Sequence, residues 1–246
     1  MEIFVLGCGT ILKNPGDHGN CSGYLLDQTH LFDCGPGVWR AIYEYRMDML
    51  KINRIFLSHF HPDHVSDLDA ILLNRLLLRD QLPSPLQLSG PPGLVAWYEQ
   101  LVKINGEWIT KVPVRLIELT GKPHVDGGYS ILTHPTGHTE NSISYRIEKD
   151  GRSCFYSGDC GNSGGVTAFA AGANLALIEA SHPDETPIEG HLTPSLAAKM
   201  AIKAKIERLV LTHLYPQTRT ADPLPRAKTV FGDNVLLAHE GMRIPV

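Results

Sequence analysis

The sequence predicts a protein of the α/β (α+β) class, built as a two-sheet sandwich with helices on the outside. Short apolar runs typical of strands alternate with longer segments typical of helices on both sides of the chain's midpoint. Neither a linker nor an internal repeat interrupts this alternation. With 246 residues and 43% hydrophobic content, the chain can bury one sizeable core. We therefore expect residues 1–246 to form a single domain.

The first half of the chain begins with strand-like segments and then alternates with helices. In order along the chain, the predicted elements are strands at 1–5, 24–26, 30–32 and 55–57 and helices at 38–46, 66–79 and 94–104. Ser66 is the expected N-cap of its helix, and acidic residues in the first turn favour the helix dipole. The apolar positions of this helix lie on nearly all sides, which predicts burial. Residues 83–92 are predicted to form a loop.

The second half contains three strand-like runs, each followed by a polar residue with metal-ligand chemistry. The runs lie at 131–133, 154–158 and 209–212. A turn is predicted at 148–151, between two strands. Thr193 followed by a proline is typical of a helix start, so we expect a helix from 194 to about 205.

The segment directly behind the strand at 55–57 is unusually rich in such ligands. It reads His59-x-His61-x-Asp63-His64, and imidazole and carboxylate groups are ligands of zinc-type sites. Alternate side chains of an extended chain point the same way, so His59 and His61 are placed to hold one ion. Asp63 and His64 follow where the chain turns and can reach a second ion. A polar loop that happens to be rich in histidine is the alternative interpretation.

Three further candidate ligands stand at or just past the ends of predicted strands: His138, Asp159 and His213. Functional sites of layered α/β proteins usually gather at the carboxyl ends of strands. A structural metal site is closed and usually uses cysteine, whereas these ligands are histidine and aspartate. The five cysteines are scattered and odd in number, which indicates reduced thiols. Cys160, beside Asp159, is expected to face away from it.

At this point the residues resemble the five-part signature of the metallo-β-lactamase fold hydrolases, and most closely its ribonuclease Z-like branch. The supporting stretches are Leu31-Phe32-Asp33-Cys34-Gly35-Pro36-Gly37, Asn141-Ser142-Ile143-Ser144-Tyr145-Arg146-Ile147-Glu148, Ile178-Glu179-Ala180 and Gly190-His191-Leu192-Thr193. The resemblance covers nearly the whole chain. It implies the four-layered αββα sandwich of the metallo-β-lactamase fold.

The resemblance also implies a cofactor of two divalent metal ions, with zinc expected and manganese or iron as alternatives. It assigns His59, His61 and His138 to the first ion, Asp63, His64 and His213 to the second, and Asp159 to both. His134 is a rival of His138, which is preferred because it stands seven residues before Tyr145, as in this branch. Glu179 would orient His191, which would face the scissile group.

The chemistry that follows is hydrolysis by a metal-bridging hydroxide. Two divalent ions acidify a shared water and carry charge in the transition state. Asp63 would bind metal and hold that hydroxide, while His191 would protonate the leaving oxygen. We therefore expect a dinuclear metal-dependent hydrolase, specifically a phosphodiesterase of ribonuclease Z type.

Two other hydrolytic functions stay open. One is tRNA 3′ processing by an endoribonuclease, and the other is hydrolysis of thioesters, lactones or β-lactams on the same scaffold, for which the sequence offers no substrate-clamp loop. A redox function is disfavoured because the diiron relatives typically carry Glu where this chain has His61. Bacterial ribonuclease Z enzymes insert a long basic arm between the positions of His138 and Asp159, but these are only 21 residues apart here.

Charge restricts the expected partners. The net charge is −4, and extensive nucleic-acid binding needs clustered Lys and Arg. We expect a small phosphodiester or nucleotide-like substrate, with RNA compatible but not favoured. No apolar stretch reaches the roughly 18 residues of a membrane span, and the start has no basic leader, so a cytoplasmic location without a membrane partner is expected. A homodimer is compatible with the sequence.

Overall fold

The computed structural model describes residues 1–82 and 85–246. The strands, in chain order, are β1 (Glu2–Gly7), β2 (Gly23–Leu26), β3 (His30–Phe32), β4 (Arg54–Phe56), β5 (Leu86–Gly90), β6 (Val114–Glu118), β7 (His124–Asp126), β8 (Tyr129–Pro135), β9 (Ile143–Lys149), β10 (Arg152–Tyr156), β11 (Leu175–Glu179), β12 (Arg208–Thr212), β13 (Val235–Leu237) and β14 (Arg243–Pro245). The helices are α1 (Val38–Glu44), α2 (Pro62–Val65), α3 (Leu68–Leu77), α4 (Leu94–Asn105), α5 (Gly164–Phe169), α6 (Pro194–Lys203), α7 (Pro216–Thr220) and α8 (Pro223–Phe231), with 3-10 turns at Arg79–Gln81 and Ile109–Lys111.

The strands of the described residues form two seven-stranded sheets. The first sheet has the order β14-β1-β2-β3-β4-β5-β6, and the second has the order β13-β12-β11-β10-β9-β8-β7. Each sheet combines an antiparallel half with a parallel half. The parallel halves are β3 to β6 in the first sheet and β10 to β13 in the second. The carboxyl ends of several strands therefore meet at one edge of each sheet.

The core has three layers because both faces of both sheets are covered. Side chains alternate across a strand, so in β1 Ile3 and Val5 pack between the sheets whereas Phe4 and Leu6 pack under α1 and its neighbours. In β11 the same alternation places Leu177 in the layer between the sheets, whereas its neighbours Ala176 and Ile178 pack against the helices that cover the second sheet. The result is the predicted sandwich of two sheets between two helical layers.

Several predicted elements are confirmed where local patterns were strong. The strands at 24–26 and 30–32 form an antiparallel hairpin, and α4 occupies the predicted 94–104 segment. Thr193 caps α6, and its hydroxyl accepts a hydrogen bond of 3.3 Å from the backbone N–H of Leu196. The turn predicted at 148–151 is shorter in the structure, because residues 148 and 149 end β9 and Lys149 pairs with Arg152, which leaves only residues 150 and 151 for the turn.

The helix predicted at 66–79 differs in the structure. The chain forms two helical pieces here, and Ser66 closes α2 instead of capping α3. Asp67 precedes α3, and its carboxylate accepts the backbone N–H of Trp39 at 2.8 Å. The prediction of burial on all sides was wrong, because Leu73 and Leu77 are 45% and 75% exposed. Only one face of this helix packs on the sheet, so the opposite leucines meet solvent.

The loop predicted at 83–92 was wrong for residues 86–90, which form β5 between β4 and β6. Pro83 and Ser84 lie outside the described residues. Prolines and glycines near both ends of this segment favoured the prediction of a loop, but the short strand between them buries Leu86 and Leu88 fully. Among the described residues, no helix combines the length and apolar character that crossing a bilayer requires.

Candidate metal centre and active site

The candidate ligands come together at the edge where strand ends of both sheets meet. His59 and His61 follow β4 of the first sheet, whereas His138, Asp159 and His213 follow β8, β10 and β12 of the second. A hydrogen bond of 2.9 Å from the backbone N–H of residue 143 to the carbonyl of residue 58 joins the two sheets here. Ligands 154 residues apart in the chain thus reach one site through the sandwich topology.

The first group consists of His59, His61, His138 and Asp159. One ligand atom from each lies within 4.8 Å of the others. His138 Nε2 stands 3.2 Å from His61 Nδ1 and 3.7 Å from Asp159 Oδ2. His59 Nε2 lies 3.8 Å from the same carboxylate oxygen. The arrangement is that of three imidazoles and one carboxylate around a common point.

The second group consists of Asp63, His64 and His213, whose ligand atoms also lie within 4.8 Å of one another. Asp63 and His64 belong to the one-turn helix α2, which begins at Pro62 directly after His61. His213 Nε2 is 3.3 Å from His64 Nε2 and 3.4 Å from Asp63 Oδ2. All three side chains are buried.

Asp159 faces both groups with different oxygen atoms. Its Oδ2 is directed at His59 and His138 of the first group. Its Oδ1 lies 3.2 Å from His64 Nε2 and 3.4 Å from His213 Nδ1 of the second. One carboxylate therefore links the two groups.

The donor set fits two divalent ions by its chemistry and by its unsatisfied atoms. Within the described part of the chain, His59 Nε2 is buried without a hydrogen-bond partner, which costs free energy unless something else binds there. His64 Nδ1 is engaged with Asp33 Oδ2 at 2.7 Å, so its Nε2 is the nitrogen directed at another imidazole nitrogen, His213 Nε2, 3.3 Å away. Imidazole nitrogens and carboxylate oxygens in this mixture suit zinc, iron or manganese.

The electrostatics of the site favour a bound cation. Burial lowers the pKa of His59 and of His138, so both rings are neutral and offer lone pairs. Burial would raise the pKa of Asp63 and of Asp159, but the surrounding imidazoles outweigh it and hold both values well below the ordinary range. For His64 burial acts against the charge, yet the two neighbouring aspartates raise its pKa. Ionised carboxylates and neutral imidazoles are the forms that bind metal, so the two carboxylates, His59 and His138 are already in that form, whereas a metal ion would have to displace the proton that the aspartates favour on His64.

A buried carboxylate, Asp33, holds the second group in place from behind. Its Oδ2 accepts from His64 Nδ1 at 2.7 Å, from the Ser58 hydroxyl at 2.8 Å and from the Tyr156 hydroxyl at 2.6 Å. Its Oδ1 accepts the backbone N–H of Ser58 at 2.7 Å. The Ser58 hydroxyl also lies 3.0 Å from His59 Nδ1. Asp33 therefore fixes the tautomer and orientation of one candidate ligand directly and contacts another through Ser58.

Two glycines permit the close approach that this network needs. A β-carbon on Gly35 would collide with the backbone carbonyl of Asp63, and one on Gly158 would stand 2.8 Å from the Ser58 β-carbon. His213 itself has a left-handed backbone (φ 53°), a conformation that costs free energy for a non-glycine residue. Its N–H donates to the Cys8 carbonyl at 2.9 Å, which helps to hold that conformation.

Beside the ligands, the buried Glu179 forms a hydrogen-bonded pair with the partly buried His191. His191 Nδ1 lies 3.0 Å from Glu179 Oε1, and the carboxylate also accepts the backbone N–H groups of Cys160 and Leu192 at 2.7 and 3.2 Å. Burial disfavours the charged ring of His191, but the hydrogen bond and charge of Glu179 outweigh it and raise the His191 pKa. The His191 ring centroid is 4.5 Å from that of His138, so the pair borders the first group.

The serine and carbonyl contacts around the ligands complete their orientation. The Ser181 hydroxyl donates to Glu179 and lies 3.0 Å from His213 Nδ1. His138 Nδ1 donates to the Gly190 carbonyl at 3.1 Å, which leaves its Nε2 free to bind a metal.

The structure distinguishes the two rival histidines, His138 and His134, and places Cys160. His138 belongs to the first group. His134 lies away from it on β8, where its Nδ1 contacts the Pro135 carbonyl at 2.7 Å and its ring packs on Phe169. Cys160 is buried in the layer beneath the helices and belongs to neither group.

The sequence patterns did not mark Asp33, Ser58 or Ser181 as functional residues. Asp33 lies in one of the sequence stretches on which the family resemblance rests, but the sequence alone indicated no physical role for its side chain. A signal was present, because Asp33 directly follows an apolar strand-like run, and an aspartate that is fully buried there needs a partner. No sequence pattern marked His182 either, whose ring stacks on Tyr215 with centroids 4.6 Å apart and lies 5.3 Å from His191.

Comparison with known proteins defines the class. Residues 28–214 match the family described as Beta-lactamase superfamily domain, and the chain belongs to this family. Ribonuclease Z of Mycobacterium bovis is 28% identical over 242 residues, an alignment that covers 88% of this chain and 86% of that protein. The predicted resemblance to this family and to ribonuclease Z is thereby confirmed.

Solved structures show the same fold. The metallo-beta-lactamase fold protein YhfI from Bacillus subtilis has a TM-score of 0.85 at 24% identity, over 99% of this chain and 98% of that chain. Human tRNase Z, short form, has a TM-score of 0.78 at 24% identity, over 100% of this chain and 99% of that chain. The fold of this chain is therefore the predicted metallo-β-lactamase fold.

Proposed function

We propose that this protein is a dinuclear metal-dependent phosphodiesterase of the ribonuclease Z type. The observation that carries the proposal is the pair of ligand groups that share Asp159 and lie beside the Glu179–His191 pair. In this proposal one ion is held by His59, His61 and His138, the other by Asp63, His64 and His213, and Asp159 contacts both. We expect zinc, with manganese or iron as alternatives.

The ions would supply a water of lowered pKa and positive charge for the phosphoryl oxygens. The chain's own contribution begins with Asp63, whose carboxylate would accept a hydrogen bond from the attacking water and align it with the phosphorus. The depressed pKa of Asp63 keeps this carboxylate ionised at neutral pH. Its place in the short helix α2, behind Pro62, fixes its direction.

His191 is the proposed general acid. Its Nδ1 is engaged with Glu179, so Nε2 is the atom left to donate a proton to the leaving oxygen. The raised pKa of His191 keeps a larger protonated fraction near neutral pH. Glu179 is a positioning residue, since it acts on the reaction through His191.

The substrate class follows from charge and from the turn between β9 and β10. The net charge of −4 leaves few phosphate contacts for a long nucleic acid. Residues 150 and 151 form a short turn where the bacterial enzymes would carry their basic arm. We therefore favour a small phosphodiester or nucleotide-like substrate. Processing of tRNA 3′ ends is the second candidate, favoured by the similarity to ribonuclease Z of Mycobacterium bovis.

A turnover panel on metal-loaded protein tests this assignment. The panel contains bis(p-nitrophenyl) phosphate, p-nitrophenyl phosphate, a cyclic nucleotide, a pre-tRNA, a thioester and a lactone. We expect faster hydrolysis of the diester than of the monoester and weak cleavage of the pre-tRNA. Activity restricted to the thioester or the lactone would instead assign the site to the rival class of hydrolase.

Two expectations from the sequence remain predictions: that residues 1–246 form a single domain, and that the protein forms a homodimer.

A further inference from the structure

A cavity of about 380 Å³ adjoins the candidate metal centre. One wall comes from the connection between β1 and β2, and another comes from the segment after β12. Leu214 lines this cavity and directly follows His213. Gly9 pairs with Leu214, and the carbonyl of Cys8 accepts the backbone N–H of His213. The cavity and the second ligand group therefore share one piece of backbone.

Two cationic side chains converge within this cavity. A methyl group built on Gly9 would stand 3.0 Å from Nζ of Lys13 and 3.8 Å from an Nη atom of Arg219. Arg219 is oriented by a hydrogen bond of 3.3 Å to the Cys8 carbonyl. In the described ranges, 1–82 and 85–246, neither Lys13 nor Arg219 lies within 4.0 Å of a carboxylate oxygen. An anion between the two nitrogens would relieve their mutual repulsion.

The acidic side chains of the cavity are already occupied by donors. Asp17 accepts the backbone N–H of Asn14 at 2.9 Å. Glu240 accepts the side-chain amide of Asn20 at 3.0 Å and also its backbone N–H. Both carboxylates line the cavity together with the two cations, but each is held by amide donors and neither lies within ion-pair distance of Lys13 or Arg219. Leu12, which is 47% exposed, adds an apolar surface beside the cations.

We propose that this cavity, the Lys13–Arg219 pocket, binds a second phosphate group of the substrate. Lysine and arginine hold phosphate through charge-assisted hydrogen bonds, and the shared backbone places that phosphate a short linker away from the scissile diester. This inference rests on the proposed function, because it assigns the pocket to the same substrate. It specifies the substrate class as a phosphodiester that carries one further phosphate, such as a phosphorylated dinucleotide.

Kinetics with matched substrates test the pocket. The dinucleotide adenylyl-(3′→5′)-adenosine (ApA), its 5′-phosphorylated form (pApA) and the trinucleotide ApApA are compared on metal-loaded protein. Lys13→Glu should raise KM for pApA by about tenfold or more and leave kcat and the hydrolysis of ApA unchanged. Arg219→Lys should retain most of the preference because the charge remains. Lys103→Glu, an exposed lysine on α4, makes the same charge change elsewhere and should have no effect.

The two sources of a second phosphate give different results. A terminal phosphate predicts a Lys13-dependent preference for pApA alone, whereas an internal diester predicts the same preference for ApApA. Equal KM values for ApA, pApA and ApApA in the unaltered protein would overturn the proposal. So would a preference that Lys13→Glu and Lys103→Glu reduce equally, since that result indicates net charge only.

A binding measurement separates this inference from the proposed function. Isothermal titration of the metal-loaded protein compares adenosine 3′,5′-bisphosphate with adenosine 5′-monophosphate. We expect the bisphosphate to bind about tenfold more tightly, with the difference lost in Lys13→Glu. A Lys13-dependent difference without any diester hydrolysis would support the pocket and contradict the phosphodiesterase assignment. Diester hydrolysis without a Lys13-dependent difference would overturn the pocket and leave the assignment intact.

Discussion

Replacement of His191 by alanine should remove general-acid catalysis and leave the metal groups intact. His191 belongs to neither ligand group, and Glu179 keeps the Cys160 and Leu192 N–H donors, so its buried charge stays partly compensated. General-acid catalysis contributes about 10²–10⁴-fold, which is about 3–5 kcal/mol of activation free energy at about 1.4 kcal/mol per tenfold. The loss in kcat should reach this range for a poor leaving group, such as a ribose hydroxyl. It should shrink for p-nitrophenolate, which needs no proton.

The assay measures kcat for both leaving groups as a function of pH, together with metal content. A general acid works in its protonated form, so the rate for the poor leaving group should fall as pH rises through the elevated His191 pKa. This alkaline limb should be absent in His191→Ala. Glu179→Gln should give a smaller defect in the same direction. His182→Ala is the matched control, because His182 borders His191, and it should lose less than about tenfold. Unaltered kcat on the poor leaving group in His191→Ala, or loss of a metal ion, would refute the assignment.

Three further predictions concern the support of the site and the stability of the fold. Asp33→Asn should weaken binding of the second ion by about 10–100-fold in a chelator competition. The control variant Asp27→Asn should bind this ion as the unaltered protein does. Equal metal affinities of the two variants would contradict the role of the buried network around Asp33. Burial, followed by the charge of Arg54, lowers the pKa of His30 to about 4. Folding therefore favours the neutral ring. The contribution of His30 to the free energy of unfolding is complete above about pH 6.5, and about 3 kcal/mol is lost as the pH falls toward 4. Urea unfolding should show this slope, and His30→Gln should flatten it. Gly35→Ala should lower the free energy of unfolding by about 1–3 kcal/mol or more, because the new β-carbon would collide with the backbone carbonyl of Asp63. Gly164→Ala, with open space around it, should leave the free energy of unfolding unchanged. Equal effects of the two substitutions would contradict the close approach of Gly35 to Asp63.

Local chemistry made much of the fold and of the ligand set predictable. His59 and His61 alternate along one extended segment, so their common direction follows from strand geometry alone. The hairpin of β2 and β3 and the capped start of α6 depend on residues close in sequence. The αββα sandwich and the shared role of Asp159, by contrast, were implied by the family resemblance.

The supporting network was not predictable, because it depends on strand pairing between distant segments. Asp33 meets Ser58 only since β3 and β4 are parallel neighbours, with Phe32 opposite Phe56. The Lys13–Arg219 pocket similarly needs residues more than 200 positions apart. Periodicity carries no information about such contacts.

Metal stoichiometry tests the central claim most directly. Elemental analysis of zinc-reloaded full-length protein should approach two ions per chain, because two ligand groups are present. Asp159→Ala should lower the occupancy of both ions, since this carboxylate faces both groups. Asp80→Ala, an exposed aspartate away from the site, should keep both. A folded protein that saturates with one ion, or an Asp159→Ala variant that retains two, would contradict the dinuclear site.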